Sequence, residues 1–380
     1  MRVSEKILVR YGEIFLKSEK VFGSFEKKLI KNIKSALERE KINYRISKER
    51  GRIFVDAGSL ALGPLAKVLG VVSYSPVFHL KTSRLSEIKE FCRKKFRNFV
   101  KKGTTFAVRA RRTGNHDFSS REAESAVGSV IRGRVDLQNP DKSIFLEIRE
   151  NDTYIFSRIY PGPGGMPSGT AGKVLSLLSG GIDSPVSSFL MMKRGCEVVF
   201  LHFHSFPLVS RKSIDKCKEI VKKLNEYQIK SELILVPFHK IQARFKTKAM
   251  ARFLILLYRR SMLRIAVKIA AKKSAQALVT GESLAQVSSQ TLPNLAAINA
   301  AAGNFPVFRP LIGFDKEEII ILAKKIGTFE LSILPQEDCC TLFTPKNPAT
   351  KSEEKILEKF ESGLKRLEEE AVRKIEEIFI

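Results

Sequence analysis

Apolar residues recur at two spacings along this chain, and each spacing predicts a different element. Alternation predicts strands over Lys6–Tyr11, Arg52–Asp56 and near Val71–Leu80. Spacing by three and four predicts helices over about Ser24–Glu40, Ser59–Leu69 and Leu85–Val100. A strand at Thr105–Arg111, a helix at about Ser119–Ile131 and strands at Ser143–Arg149 and Thr153–Ile159 complete this half. Short strands and helices mixed in this way suggest one or two small α+β units, with a first boundary near residue 55. The stretch 161–169, PGPGGMPSG, cannot continue a helix or a central strand and marks the clearest boundary in the chain.

Beyond it the rhythm changes. Lys173–Leu178, Glu197–Phe203, Glu232–Val236 and Ala277–Thr280 are short apolar runs separated by helical patterns, so an α/β unit with a parallel sheet is predicted. Lys351–Ile378 carries Ile356, Phe360, Leu364 and Leu367 at helical spacing and reads as one closing amphipathic helix.

Composition narrows the function. The 380 residues carry 67 Lys plus Arg against 40 Asp plus Glu, a net charge of +27, which points to a polyanionic partner. Residues 1–172 hold +16 of it and residues 173–380 hold +11. Between Phe91 and His116 there are nine cations, Arg93, Lys94, Lys95, Arg97, Lys101, Lys102, Arg109, Arg111 and Arg112, and no acid, a run that favours a phosphate-tracking face. No apolar stretch approaches the ~20 residues of a membrane span, and charges interrupt the start where a signal peptide needs an apolar core. A cytoplasmic protein with no membrane association is expected. Five Cys without a C-x-x-C pair exclude a disulfide scaffold. Cys92, Cys196 and Cys217 fall in helix or strand patterns and read as structural, whereas Cys339 and Cys340 stand side by side in a polar context, ILPQEDCCTLF.

The chemistry-bearing string is SGGIDSP, Ser179–Pro185, between a buried strand and a helix. Two glycines permit a tight turn, and successive N–H groups, the Ser179 and Ser184 hydroxyls and a helix start make a phosphate cradle. Asp183 there could hold a magnesium ion or cap the helix. A bare S-G-G would be an ordinary strand-to-helix turn; the full S-G-G-x-D-S is far more specific. It is not a Walker A loop.

SGGIDSP resembles the PP-loop of the ATP pyrophosphatase superfamily, whose members adenylate a substrate oxygen. With HFHSFP (202–207), TGES (280–283), SSQTLPN (288–294), RPLIGFDKEEI (309–319) and EDCC (337–340), the chain is similar to the 4-thiouridine synthetases, tRNA uracil 4-sulfurtransferases. The resemblance implies a ferredoxin-like module over 1–55, a THUMP RNA-binding module over 56–160, a linker at 161–172 and a PP-loop domain over 173–380. It implies ATP and Mg²⁺ as cofactors, with ATP held by Ser179, Gly180, Gly181, Asp183 and Ser184 of the loop and by Leu177, Leu178, His202, Phe203, Arg259, Gly281 and Gln290. Asp183, Cys339 and Cys340 become the catalytic candidates, since sulfur transfer needs a thiolate that carries or resolves a persulfide. Arg260 and Arg264 are near enough in sequence to stand in for Arg259.

The implied partners are tRNA, a cysteine desulfurase or other persulfide donor and, plausibly, a second copy of the chain. Many relatives continue into a rhodanese domain; the expectation here is a short form without one. Such enzymes are also linked to the thiazole of thiamine, a link that in the family can rest on the rhodanese part. The alternatives are another PP-loop adenylase acting on tRNA, an amide-forming synthetase, or a non-catalytic RNA-binding protein.

Overall fold

A computed structural model describes residues 3–49, 51–335 and 347–380, and the chain divides into two units, residues 1–165 and 166–380.

The first unit runs β1 (Val3–Tyr11), α1 (Glu19–Arg39), β2 (Arg45–Glu49), β3 (Arg52–Asp56), α2 (Leu62–Leu65), β4 (Val71–Leu80), α3 (Leu85–Phe96), β5 (Thr105–Arg112), α4 (Ser120–Gly128), β6 (Arg134–Val135), β7 (Lys142–Arg149), β8 (Asp152–Phe156) and β9 (Tyr160–Pro161). The strands form one mixed sheet in the order β2-β3-β1-β4-β8-β7-β5-β6, with β9 beside β4. A nine-residue ladder between β1 and β4 carries the sheet across the position near residue 55. Alternation decides the faces. Ile7 and Val9 on β1 and Tyr74 on β4 pack under α1, while Phe78 and Leu80, on the same face of β4, pack with Ile88, Cys92 and Phe96 of α3. The opposite face carries Leu8, Phe54, Val77, Tyr154 and Phe156. Ser119 caps α4 in a reciprocal arrangement with Glu122.

The second unit runs β10 (Lys173–Leu177), α5 (Asp183–Lys193), β11 (Glu197–His204), α6 (Lys212–Leu224), β12 (Glu232–Pro237), α7 (His239–Lys248), a 3-10 turn (Ala251–Phe253), α8 (Leu254–Lys272), β13 (Ala277–Val279), α9 (Leu292–Ala300), β14 (Val307–Phe308), α10 (Lys316–Ile326), α11 (Phe329–Ser332), α12 (Glu354–Glu358), α13 (Lys365–Arg373) and β15 (Glu376–Phe379). Its sheet has the order β14-β13-β10-β11-β12-β15 and is parallel except for β15, the α/β architecture expected. The chain steps from β10 outward to β12 and then returns to β13 on the other side of β10. That reversal opens a crevice at the carboxyl ends of β10 and β13, where such sheets bind ligands. Leu175, Val199, Leu201, Ile234 and Val236 share one core with α8, and the alternating residues face the other way.

The single closing helix expected over Lys351–Ile378 is not what forms. Gly363, at φ +76°, breaks the helical path between α12 and α13, and the last residues pair antiparallel with β12. Without that strand β12 would present an unpaired edge, so edge pairing overrides the local helical spacing. Among the described residues, no helix is long and apolar enough to cross a membrane.

Candidate nucleotide and active site

The loop after β10 closes on itself. Ser184 Oγ accepts from Ser179 N at 2.9 Å and donates to Ser179 O at 3.1 Å, and Gly181 N donates to Ser179 Oγ at 3.3 Å. α5 starts at Asp183 with no side-chain cap, so its first N–H groups stay available for an anion. Asp183 does not serve as the N-cap. Its carboxylate sits in the first turn, held by Lys316 Nζ at 2.5 Å and Gln286 Nε2 at 3.0 Å. Lys316 opens α10, aimed by the Asp315–Glu318 capping box around it. Gly281 is required by close approach: a Cβ there would lie 2.8 Å from Ser184 N, so the TGES segment seats directly on the start of α5.

A cavity of about 730 Å³, counting the open solvent at its mouth, lies in front of this loop. Leu177, Ser179, Gly181, Asp183 and Ser184 line one side, and Arg259, Gly281 and Gln290 the other, with Met262, Leu263 and Ile298 as apolar floor. Arg259 Nη1 binds Glu282 Oε1 at 2.8 Å, and Glu282 Oε2 is gripped by Arg309 Nε at 2.6 Å and by the Thr280 hydroxyl at 2.8 Å. Burial alone would raise the Glu282 pKa. The two arginines and the hydrogen bonds from Thr280 and Arg309 outweigh it and hold the carboxyl below its ordinary value. Glu282 is thereby a fixed anion behind Arg259, leaving the remaining Arg259 donors to face the cavity. The Gln290 carbonyl oxygen is buried without a hydrogen-bond partner among the described residues, on a residue that lines the cavity.

Comparison with known proteins settles the ancestry. Residues 169–365 match the model of the thiamine biosynthesis protein (ThiI), residues 6–75 the ThiI ferredoxin-like domain and residues 82–158 the THUMP domain. The chain belongs to the ThiI family. It is 44% identical over 373 residues to a probable tRNA sulfurtransferase of Acetivibrio thermocellus, covering 94% of each chain. It is 42% identical over 359 residues to one of Methanothermobacter thermautotrophicus, covering 91% of this chain and 90% of the relative. Its fold matches that of a 4-thiouridine synthetase crystallised as an RNA complex with bound ATP, with TM-score 0.88, 36% identity and 99% of each chain covered.

Other residues singled out from the resemblance to the 4-thiouridine synthetases do not line the cavity. Gly180 is buried within the loop, and Leu178, His202 and Phe203 stand behind the wall. His202 Nδ1 is 3.0 Å from Leu178 O and its Nε2 is 3.4 Å from Ser213 Oγ, a brace for the end of β10. Phe203 packs edge-on against Phe238 in the core. Arg260 and Arg264 cannot stand in for Arg259. Arg260 is buried on Glu361 at 2.7 Å, and Arg264 binds Glu361 and Glu368 at 2.8 Å each.

Burial pushes the Cys92 thiol up to about 12 and raises Cys196, which suits inert structural thiols. Cys339 and Cys340 lie outside the described residues. Just ahead of them in the chain, Lys216 Nζ binds Ser332 O and Leu334 O at 2.7 Å each.

The nine cations of 91–116 do not form one face. Arg93 and Lys94 are paired to Glu90, one residue outside the run, at 2.7 and 3.2 Å, and Lys95 lies over the Phe78 ring. Arg97, Lys101 and Lys102 are exposed. On β5, Phe106 and Val108 point to the α3 side, so Arg109 and Arg111 point to the other side of the sheet. Arg109 binds Leu137 O there, and Arg112, back on the helix side, donates to His116 O at 3.0 Å. Lys316, Glu282 and Arg309 were not singled out from sequence, although all three fall inside the TGES and RPLIGFDKEEI strings; only the fold shows what each faces.

Proposed function

We propose that this chain is an ATP-dependent tRNA uracil 4-sulfurtransferase. The observation that carries the reading is the cavity bounded by the Ser179–Ser184 loop on one side and Arg259 and Gln290 on the other. The uncapped N–H groups at the start of α5 hold phosphate, Arg259 adds a forked cation on a rigid carboxylate, and Gln290 stands in the opposite wall. Asp183, the cavity carboxylate that is not buried between arginines, would hold a magnesium ion together with substrate phosphates by sharing or giving up its contacts to Lys316 and Gln286. Such an ion supplies charge neutralisation on the phosphates when bound. Lys316, on the same carboxylate, contributes a positive charge beside the departing pyrophosphate.

The uracil O4 attacks the α-phosphorus and pyrophosphate leaves; the outer sulfur of a cysteine persulfide then attacks C4 and AMP leaves with the former O4. A second cysteine thiolate attacks the inner sulfur, breaking the S–S bond to release 4-thiouridine and leaving a disulfide that an external thiol reduces. Cys339 and Cys340 are assigned to handling the sulfur, delivered by a cysteine desulfurase or another persulfide donor, and the basic first unit to holding the tRNA by backbone and shape.

The test is nucleoside mass spectrometry of unmodified tRNA incubated with the protein, ATP, Mg²⁺ and sulfide, alongside Asp183→Ala. Formation of 4-thiouridine by the wild type and its loss in the variant, with tRNA affinity retained, is the expected result. Thiolation that survives Asp183→Ala would overturn the mechanism, and pyrophosphate release without 4-thiouridine would move the reading to another adenylase.

A further inference from the structure

From Leu233 to Gly281 the chain runs 49 residues without a single Asp or Glu while carrying eleven Lys and Arg. The fold supplies carboxylates from elsewhere to five of them. Lys240 pairs with Glu370, Arg259 with Glu282, Arg260 with Glu361, Arg264 with Glu361 and Glu368, and Lys273 with Glu232 and Glu377. Arg244 and Lys248, one turn apart on the second half of α7, and Arg252, on the 3-10 turn after it, have no carboxylate within salt-bridge distance among the described residues.

This cluster is placed and held. Lys248, Arg252 and the neighbouring Lys246 are exposed, as is Met250 between them. The Arg252 guanidinium lies over the buried Phe253 ring at 4.6 Å, which fixes its direction. Arg252 O accepts from Ala349 N at 3.0 Å, and the next residue, Thr350, accepts through its carbonyl from the Thr291 hydroxyl at 2.7 Å. Thr291 directly follows Gln290 of the cavity wall. Arg252 also precedes Arg259 by seven residues on the α8 side, roughly 10 Å of helix. Arg252 is therefore tied through its backbone to the segment that continues from Gln290 of the cavity wall. Lys268 and Lys272, also without a carboxylate partner among the described residues, are sixteen and twenty residues further along, roughly 24 to 30 Å away at the far end of α8.

We propose that Arg244, Lys248 and Arg252 form a second phosphate-binding surface for the RNA substrate, in the catalytic unit itself, clamping the backbone next to the nucleotide whose base enters the cavity. Lys at the end of α7 also complements the helix dipole, but that does not account for Arg252, which lies beyond the helix. The inference rests on the tRNA reading above.

Salt titration of tRNA binding tests it, using the full chain, unmodified tRNA and the variant Arg244→Gln/Lys248→Gln/Arg252→Gln. Removing one cation from a phosphate should lower the slope of log K against log salt by about 0.7 to 0.9, so the slope of the triple variant should fall by about 2 or more and its binding should weaken roughly tenfold. ATP affinity, read separately, should be unchanged. Where the triple variant does not fold, Lys248→Glu alone carries the test, with a slope smaller by about one. A wild type that binds tRNA with a slope the variants do not alter overturns the proposal and leaves the tRNA reading intact. A change in oligomeric state with an unaltered slope also overturns it and makes this face a protein interface. A wild type that shows no salt-dependent tRNA binding removes the tRNA reading itself.

Discussion

Two acid-free basic stretches, 91–116 in the first unit and 233–281 in the second, look alike in sequence and end in different physics. In the second, a long buried helix turns Arg259, Arg260 and Arg264 inward, where each meets a carboxylate from a distant part of the chain. Desolvated charges tolerate burial only when paired, so these contacts are specified tightly. In the first, the cations stay at the surface, and strand alternation sends Arg109 and Arg111 to one side of the sheet and Arg112 to the other. A like charge pattern thus becomes an internal scaffold on a helix and a divided surface on a strand.

The largest effect should come from breaking the scaffold. Glu361→Ala leaves Arg260 buried without its main partner and should cost about 3 to 5 kcal/mol, measured by denaturant unfolding. A cost below about 1 kcal/mol would mean that the helix cations are solvated after all. Glu361 and Glu282 both titrate below their ordinary value in the folded state, Glu361 because its bonds to Arg260 and Arg264 outweigh its burial. Their contribution is therefore complete above about pH 4.5 and disappears as pH falls through the depressed folded values. Melting temperature should drop with acidification in that window for the wild type, and less steeply for Glu282→Gln.

Next in size, Glu282→Gln should raise the KM for ATP more than it alters tRNA affinity, since it loosens Arg259 at the cavity while leaving the first unit untouched; equal KM values would remove Glu282 from the site. In the first unit, Arg109→Gln/Arg111→Gln/Arg112→Gln should lower the salt slope of tRNA binding, and comparing Arg109→Gln/Arg111→Gln with Arg112→Gln asks which side of the sheet meets phosphate. Every arginine that touches a phosphate in the wild type should account for about 0.7 to 0.9 of the slope. The smallest effect belongs to Glu90→Gln, which releases Arg93 and Lys94 on an exposed helix face. Thermal stability should hardly move, while tRNA affinity rises slightly at low salt; no rise would mean that α3 lies off the RNA path.

What the amino-acid sequence determined by itself was local. The Ser179–Pro185 string, with its glycines, hydroxyls and following helix, announces a phosphate cradle because turn chemistry is written in neighbouring residues. The alternation of apolar runs and helices after residue 173 announces a parallel sheet for the same reason. Tertiary structure alone decided the rest. Spacing in Lys351–Ile378 could not reveal that Glu376–Phe379 would satisfy the open edge of β12. Nor could three arginines within six residues on α8 show that only Arg259 reaches the cavity, while Arg260 and Arg264 are consumed by Glu361 and Glu368 about a hundred residues away. Lys316 finds Asp183 across 133 residues by the same kind of contact. Charge partners are chosen by proximity in a low-dielectric interior, and proximity between distant segments exists only once the chain has folded.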